Sequence, residues 1–141
     1  MSFEKLNETS INNIHDRSCV IVVNSNKKES AMIKNMGRLV GIRDFIFVDS
    51  KNGNTIIKDI LENNISQDNE EVWTNKAMIF NNINQIKING FLDSLKKMKM
   101  ARPLSAVVTE TTIDWTLNKL VYNLIQERNA LKSGQTFNHS K

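Results

Sequence analysis

The sequence predicts an α/β fold: one mostly parallel, four-stranded sheet built from two strand–helix–strand–helix units. Three observations carry this. Four short apolar runs alternate strictly with four helix-like stretches. The runs are dominated by β-branched and aromatic residues and close on polar turns, as strands buried in a parallel sheet do. The plan also repeats. Cys19 and Ala77 open the first strands of the two halves 58 residues apart, Asn24 answers Asn82 at the same spacing, and Asn54 answers Asp114 at 60. Strand–helix–strand crossovers are right-handed and join parallel strands, so a mostly parallel sheet follows.

Taken in order, Cys19-Val20-Ile21-Val22-Val23 is the first strand, closed by Asn24-Ser25-Asn26. Asn26 with Glu29 three residues later approximates a capping box, and Ala31/Met32, Met36, Leu39 and Val40 form the apolar side of the helix that follows. Gly41 is a natural stop for that helix. Phe45-Ile46-Phe47-Val48 is the second strand, and Asp49-Ser50-Lys51-Asn52-Gly53 its turn. Asn54 is expected to cap a short helix with the stripe Ile56/Ile57, Ile60 and Leu61.

The second half begins at the strand Ala77-Met78-Ile79-Phe80. A helix with Ile86/Ile88, Phe91, Leu92, Leu95 and Met98 on one side comes next, and then the only proline, Pro103, which admits the chain to Leu104-Ser105-Ala106-Val107-Val108. Asp114 is the expected cap of the last helix, whose stripe runs Leu117, Leu120, Val121, Leu124, Ile125 and Leu131 up to Gly134. Leu120, Leu124 and Val108 are expected among the most buried residues.

We divide the chain into a single domain, 1–141, with pseudo-repeat halves 19–63 and 76–132. The connection 64–75 is polar and acidic and keeps neither period. Trp73 is its exception, and packing across the seam between the halves is the simpler reading over a ligand platform. The tails 1–16 and 133–141 are expected to be loosely ordered. Neither half of about 60 residues buries enough apolar surface alone, so the two should share a core.

Composition narrows the function classes. With 141 residues, 40% hydrophobic and 24% charged, the chain has the balance of a globular domain. No apolar run approaches the ~18 residues of a membrane helix, and residues 1–18 lack the apolar core of a signal peptide. One cysteine, Cys19, excludes an internal disulfide, and the distant pair His15 and His139 lacks zinc-site spacing. These features read as cytoplasmic, with no membrane, metal or cofactor expected. Asparagine occurs 20 times, isoleucine 16 and lysine 14, a mixture favoured by A/T-rich codons, so surface Asn residues are weak ligand candidates. Residues 1–69 carry nine basic and nine acidic side chains; residues 70–141 carry ten and six. A net charge of +4 is compatible with nucleic-acid contact without arguing for it, since dedicated binders show a dense basic face.

Residues 76–128 resemble a small bacterial family known only as a domain of unknown function. The resemblance rests on the strand Ala106-Val107-Val108-Thr109, the short polar turn with Glu110 and Thr111, Trp115 opening the last helix, and Glu127 near its end. It implies a fold and a compartment but no activity.

Ligands of open parallel sheets bind outside the carboxyl ends of the strands. The residues there are Asn24, Asp49, Lys51, Asn82, Thr109, Glu110 and Thr111, which could converge on one edge as a ligand site. Capping and turn formation need the same residue types. No Gly-rich phosphate loop follows a strand, the paired carboxylates of a receiver domain are replaced by Asn24-Ser25-Asn26, and Cys19 sits in a strand core rather than beside a base. Lys96, Lys97, Lys99 and Arg102 form the one basic cluster. Its position at a helix end is also explained by the helix dipole, and no base-stacking aromatics accompany it. The reading favoured by these residues is a binding or regulatory module without catalysis. The alternatives are an enzyme or sensor using the strand ends, and weak nucleic-acid binding through Lys96–Arg102. A protein partner or a second copy of the chain stays open, whereas a nucleic-acid partner is not expected.

Overall fold

In a computed structural model, residues 15–132 are described; the tails expected before and after them fall almost wholly outside the described residues. Four strands, β1 (Cys19–Val23), β2 (Phe45–Val48), β3 (Ala77–Asn81) and β4 (Leu104–Val107), form one sheet in the order β2-β1-β3-β4. Four helices accompany them among the described residues: α1 (Lys27–Val40), α2 (Ile57–Leu61), α3 (Gln85–Lys97) and α4 (Leu117–Lys132). The β1/β2 and β3/β4 pairings are parallel, and the central β1/β3 pairing is antiparallel. The predicted α/β class and its two strand–helix–strand–helix units are therefore present, with one antiparallel seam between the units.

The seam is symmetric. Ile21 pairs with Ile79, its counterpart 58 residues on, and the β1/β2 pair Val20↔Phe45 has its counterpart in Met78↔Ser105. A second contact obeys the same relation at an offset of 60: an isolated bridge joins Ile56 to Thr116. Around it, Ile57 N–H donates to the Trp115 carbonyl and Leu117 N–H to that of Thr55, each at 2.9 Å. The two units are thus related by an approximate two-fold axis through the Ile21/Ile79 pair.

Strands β1 and β3 are central and buried along their whole length, which is why their sequences read as continuous apolar runs. Their side chains alternate between two cores. Val20, Val22, Met78 and Phe80 face α1 and α3, meeting Ile33, Ile88, Phe91 and Leu95. Cys19, Ile21, Val23, Ala77 and Ile79 face α2 and α4, meeting Ile57, Ile60, Leu117, Leu120 and Val121. Burying both faces of the sheet requires a helix layer on each side, and the repeated unit supplies one helix to each.

Local signals place the helix ends. Asn26 and Glu29 form the expected capping box, and Gly41 ends α1 in the left-handed conformation at φ 87°. Its counterpart 58 residues on, Lys99, takes the same conformation at φ 63° at a small strain cost.

Several side-chain expectations are corrected. Asn54 caps no helix, because α2 starts at Ile57 without a side-chain cap. Asp114 closes a 3-10 turn instead of capping α4, and Thr116 Oγ1 receives the Lys119 N–H at the start of that helix. Leu39 and Ile86 are exposed: Leu39 lies six residues from Ile33, about a third of a turn off its line, and Ile86, two from Ile88, points nearly opposite. Val108 and Leu120 are buried as expected, whereas Leu124 is only half-buried and Leu131 is exposed. The 16 residues of α4 span about 24 Å while the four of β4 span about 13 Å, so the last turns outrun the sheet.

Candidate functional site

The antiparallel seam separates the residues expected to meet at one edge. The carboxyl ends of β1 and β2, with Asn24, Asp49 and Lys51, lie at one edge of the sheet. Those of β3 and β4, with Asn82, Thr109, Glu110 and Thr111, lie at the opposite edge. The expected convergence is thereby overturned. It rested on an all-parallel arrangement of the two units, and no strand-level pattern distinguishes that from the antiparallel one.

Hydrogen bonds account for most of these groups. Asn24 and Asn82 both adopt positive φ, 63° and 57°, directly after their strands. Asn24 Nδ2 donates to the carbonyls of Trp73 and Asn75, which lead into β3, and Asn82 Nδ2 donates to that of Asp16, which leads towards β1. Each strand exit thus clamps the approach to the other unit's strand. Asp16, assigned by sequence to the leading tail, is held this way, and the neighbouring His15 carbonyl accepts from Asn81. Asp49 accepts the Lys51 N–H while Asn52 Oδ1 accepts the Asp49 N–H. Sixty residues on, Thr109 and Thr112 exchange the equivalent pair of bonds at 2.9 and 3.0 Å. Lys51, Glu110 and Thr111 are exposed. Trp115 packs against the core with the Lys119 ammonium 4.5 Å from its ring centroid.

Two polar clusters went unnoticed in the sequence. At the start of β1, Arg17 forms a two-point pair with Asp44 at 2.7 and 2.9 Å and also donates to the Leu61 carbonyl. Buried Asn81 donates to the carbonyls of His15 and Arg17, while its Oδ1 finds no hydrogen-bond partner among the described residues. The other cluster is a web of amides over α2 and α4. Asn118 Nδ2 donates to Asn54 and Asn69, and Asn118 Oδ1 accepts the Trp73 indole N–H at 2.8 Å. Gly53 lies beneath it, where a Cβ would fall 2.1 Å from Asn118 Oδ1. This web holds the connection between the units and fixes Trp73 at the seam. Replacing Asn118 with Ala should leave the Trp73 indole without its acceptor and lower stability by about 1–3 kcal/mol, measured by urea denaturation.

Cys19 offers no nucleophile. It is fully buried, and desolvation pushes its thiol up to about 11, outweighing the opposing influence of Arg17. Iodoacetamide at pH 8 should leave it unmodified in the native protein and label it rapidly once denaturant unfolds the chain; quick native labelling would contradict this burial. Among the described residues no group of three His, Cys, Asp or Glu side chains is placed to hold a metal ion, and no helix is long and apolar enough to cross a membrane.

What the fold does gather is positive charge. Because α1 and α3 share one face of the sheet, Lys27, Lys28, Lys34, Arg38 and Arg43 of residues 27–43 join Lys87, Lys96, Lys97, Lys99 and Arg102 of residues 84–103. Glu29, Asp93 and the border residue Asp44 oppose these ten cations, whereas the other described residues carry seven basic and ten acidic side chains. Dividing the charge by halves hides this, since the asymmetry runs between layers. Two neighbouring depressions share Lys34 and Arg38. One of about 470 Å³ adds Lys27, Ser30 and Asn35; the other, of about 370 Å³, adds Arg43 and Asp44. The bordering acids are already engaged, Asp44 by Arg17 and Glu29 by Lys76, whose hydrogen bond holds the Glu29 carboxyl below its ordinary range. Of the predicted basic cluster, Lys96 and Arg102 line a third depression together with Asp93; Lys97 and Lys99 lie outside it.

With the geometry established, comparison with known proteins adds one match. Residues 76–131 match a family described as a domain of unknown function (DUF3783), over the stretch from β3 to the end of α4. No curated protein and no solved structure matches the chain. The matched segment coincides with one strand–helix–strand–helix unit, the second.

Proposed function

We propose that this chain is a non-catalytic cytoplasmic binding module whose working surface is the outer side of the α1/α3 layer, and that its partner is polyanionic. One observation carries the reading: ten cations against three acids on a single helix layer and its border, two of those acids, Asp44 and Glu29, already paired. Such a face attracts polyanions through the summed field of its charges, and that attraction weakens with salt. The absence of catalysis is supported by a thiol held in its neutral form and by strand-end polar groups engaged in turns and clamps. A single buried cysteine, with no internal disulfide to form, suits the cytoplasm. We further read the first unit as a diverged copy of the second, supported by the matching registers and by the paired boxes at Asp49/Asn52 and Thr109/Thr112.

Elution from immobilised heparin tests this. Lys27→Glu, Lys34→Glu and Arg38→Glu combined should bring the protein off at much lower salt than wild type. Lys51→Glu, Lys58→Glu and Lys132→Glu combined change the net charge equally on other surfaces and should shift elution far less. Equal shifts for both triple variants would mean that net charge alone governs binding, and the proposed surface would be wrong.

A further inference from the structure

We infer that the polyanion is a nucleic-acid duplex, gripped by its phosphate backbone without reading of base sequence; this rests on the polyanion-binding role of the α1/α3 layer. Helices of 14 and 13 residues each extend about 20 Å, and a duplex carries one negative charge per about 1.7 Å of axis, so several phosphates come within reach of the layer together. The side chains have the right chemistry. Lys27, Lys34 and Arg38 share their depression with Ser30 and Asn35, and cations interleaved with hydroxyl and amide donors are the groups that bind phosphate oxygens. In the adjoining depression Arg43 makes no ion pair among the described residues, and Asp44 is taken by Arg17.

Three features select a duplex over other polyanions. Single-strand binders stack bases on exposed aromatic rings. The one largely exposed aromatic among the described residues is Tyr122, on α4 in the opposite layer. On the α1/α3 side Phe80 and Phe91 are buried, and Phe45 and Phe47 are half-buried. Phe45 stands at the wall of the Arg43 depression and Phe47 has the Lys34 ammonium 5.3 Å from its ring centroid, which leaves no largely exposed ring for stacking. A duplex, with its bases already stacked inside, needs no such platform. Protein interfaces are depleted in lysine, yet seven of the ten cations here are lysines. A membrane-surface helix turns a broad apolar face outward, whereas α1 and α3 turn theirs to the sheet and leave Leu39, Ile86 and Met98 as the exposed large apolar residues of the layer.

The test is fluorescence anisotropy with the full chain and labelled 20-base-pair DNA and RNA duplexes, beside a single strand, anionic phosphatidylserine vesicles and poly-glutamate. A duplex should bind tightest, with AT-rich and GC-rich sequences equivalent. About four phosphate contacts should weaken it roughly a hundredfold between 50 and 200 mM salt. The Lys27→Glu, Lys34→Glu, Arg38→Glu variant should lose at least tenfold at an unchanged melting temperature; should that variant melt early, Arg43→Glu alone, in an exposed turn, should still lose severalfold. Tighter binding of the single strand, of vesicles or of poly-glutamate would overturn the duplex inference and leave the polyanion surface standing. Failure of every probe at low salt would overturn both.

Discussion

Truncating Phe91 to Ala is expected to destabilise the protein by about 3–5 kcal/mol, the range for a fully buried aromatic. Phe91 is the centre of the α1/α3 core. Its ring meets Phe80 edge-on at a centroid distance of 6.1 Å and Phe45 at 6.0 Å, joining α3 to the central strand β3 and the edge strand β2 of the other unit. The substitution removes transfer energy and aromatic pairing together, and leaves a cavity bounded by two units that cannot close on it independently. A urea midpoint shifted by less than the equivalent of 1 kcal/mol would show that this core tolerates collapse and that the units are not knit through it.

A second large effect is expected when residues 70–141 are produced alone. This fragment contains the segment that matches the domain of unknown function, yet β3 would lose β1, its partner along five residue pairs, and the apolar sides of α3 and α4 would lose Ile33, Ile57 and Ile60. A half-sized core does not offset the entropy of ordering the chain. The fragment should therefore be unfolded, or should associate by pairing β3 with a second β3 about Ile79, which would rebuild the two-fold sheet from identical units. Light scattering coupled to gel filtration, with a circular-dichroism melt, distinguishes these outcomes. A monodisperse monomer with a cooperative melt would show the second unit to be an independent domain.

Much of the fold was legible because several signals agreed at each element. Cys19–Val23 is β-branched throughout, Asn26 and Glu29 stand at capping-box spacing, and Gly41 follows the last apolar position of α1. The 58- and 60-residue offsets reappear as the pairs that lie on the two-fold axis. The direction in which the two units join was not legible, because a strand such as Ala77–Asn81 is equally apolar whether its neighbour runs with it or against it. That one sign decides whether Asp49 and Thr109 share an edge. The basic layer was hidden for the same reason: Lys34 and Lys96 lie in different halves, and only the topology puts α1 and α3 on one face. The Asn54–Asn69–Asn118 web was obscured by composition, since 20 asparagines supply no contrast. Trp73, unusual in a polar connection, was the one usable pointer to it, and its indole does bond to Asn118.

The most direct measurement of the binding surface is a map of backbone amide shifts as unlabelled duplex is titrated into isotopically labelled full-length protein. The account predicts changes confined to residues 27–43 and 84–103, reversing as salt is raised. Changes centred instead on residues 49–54 and 109–116, with the α1/α3 layer silent, would contradict it and return the working surface to the strand-end turns.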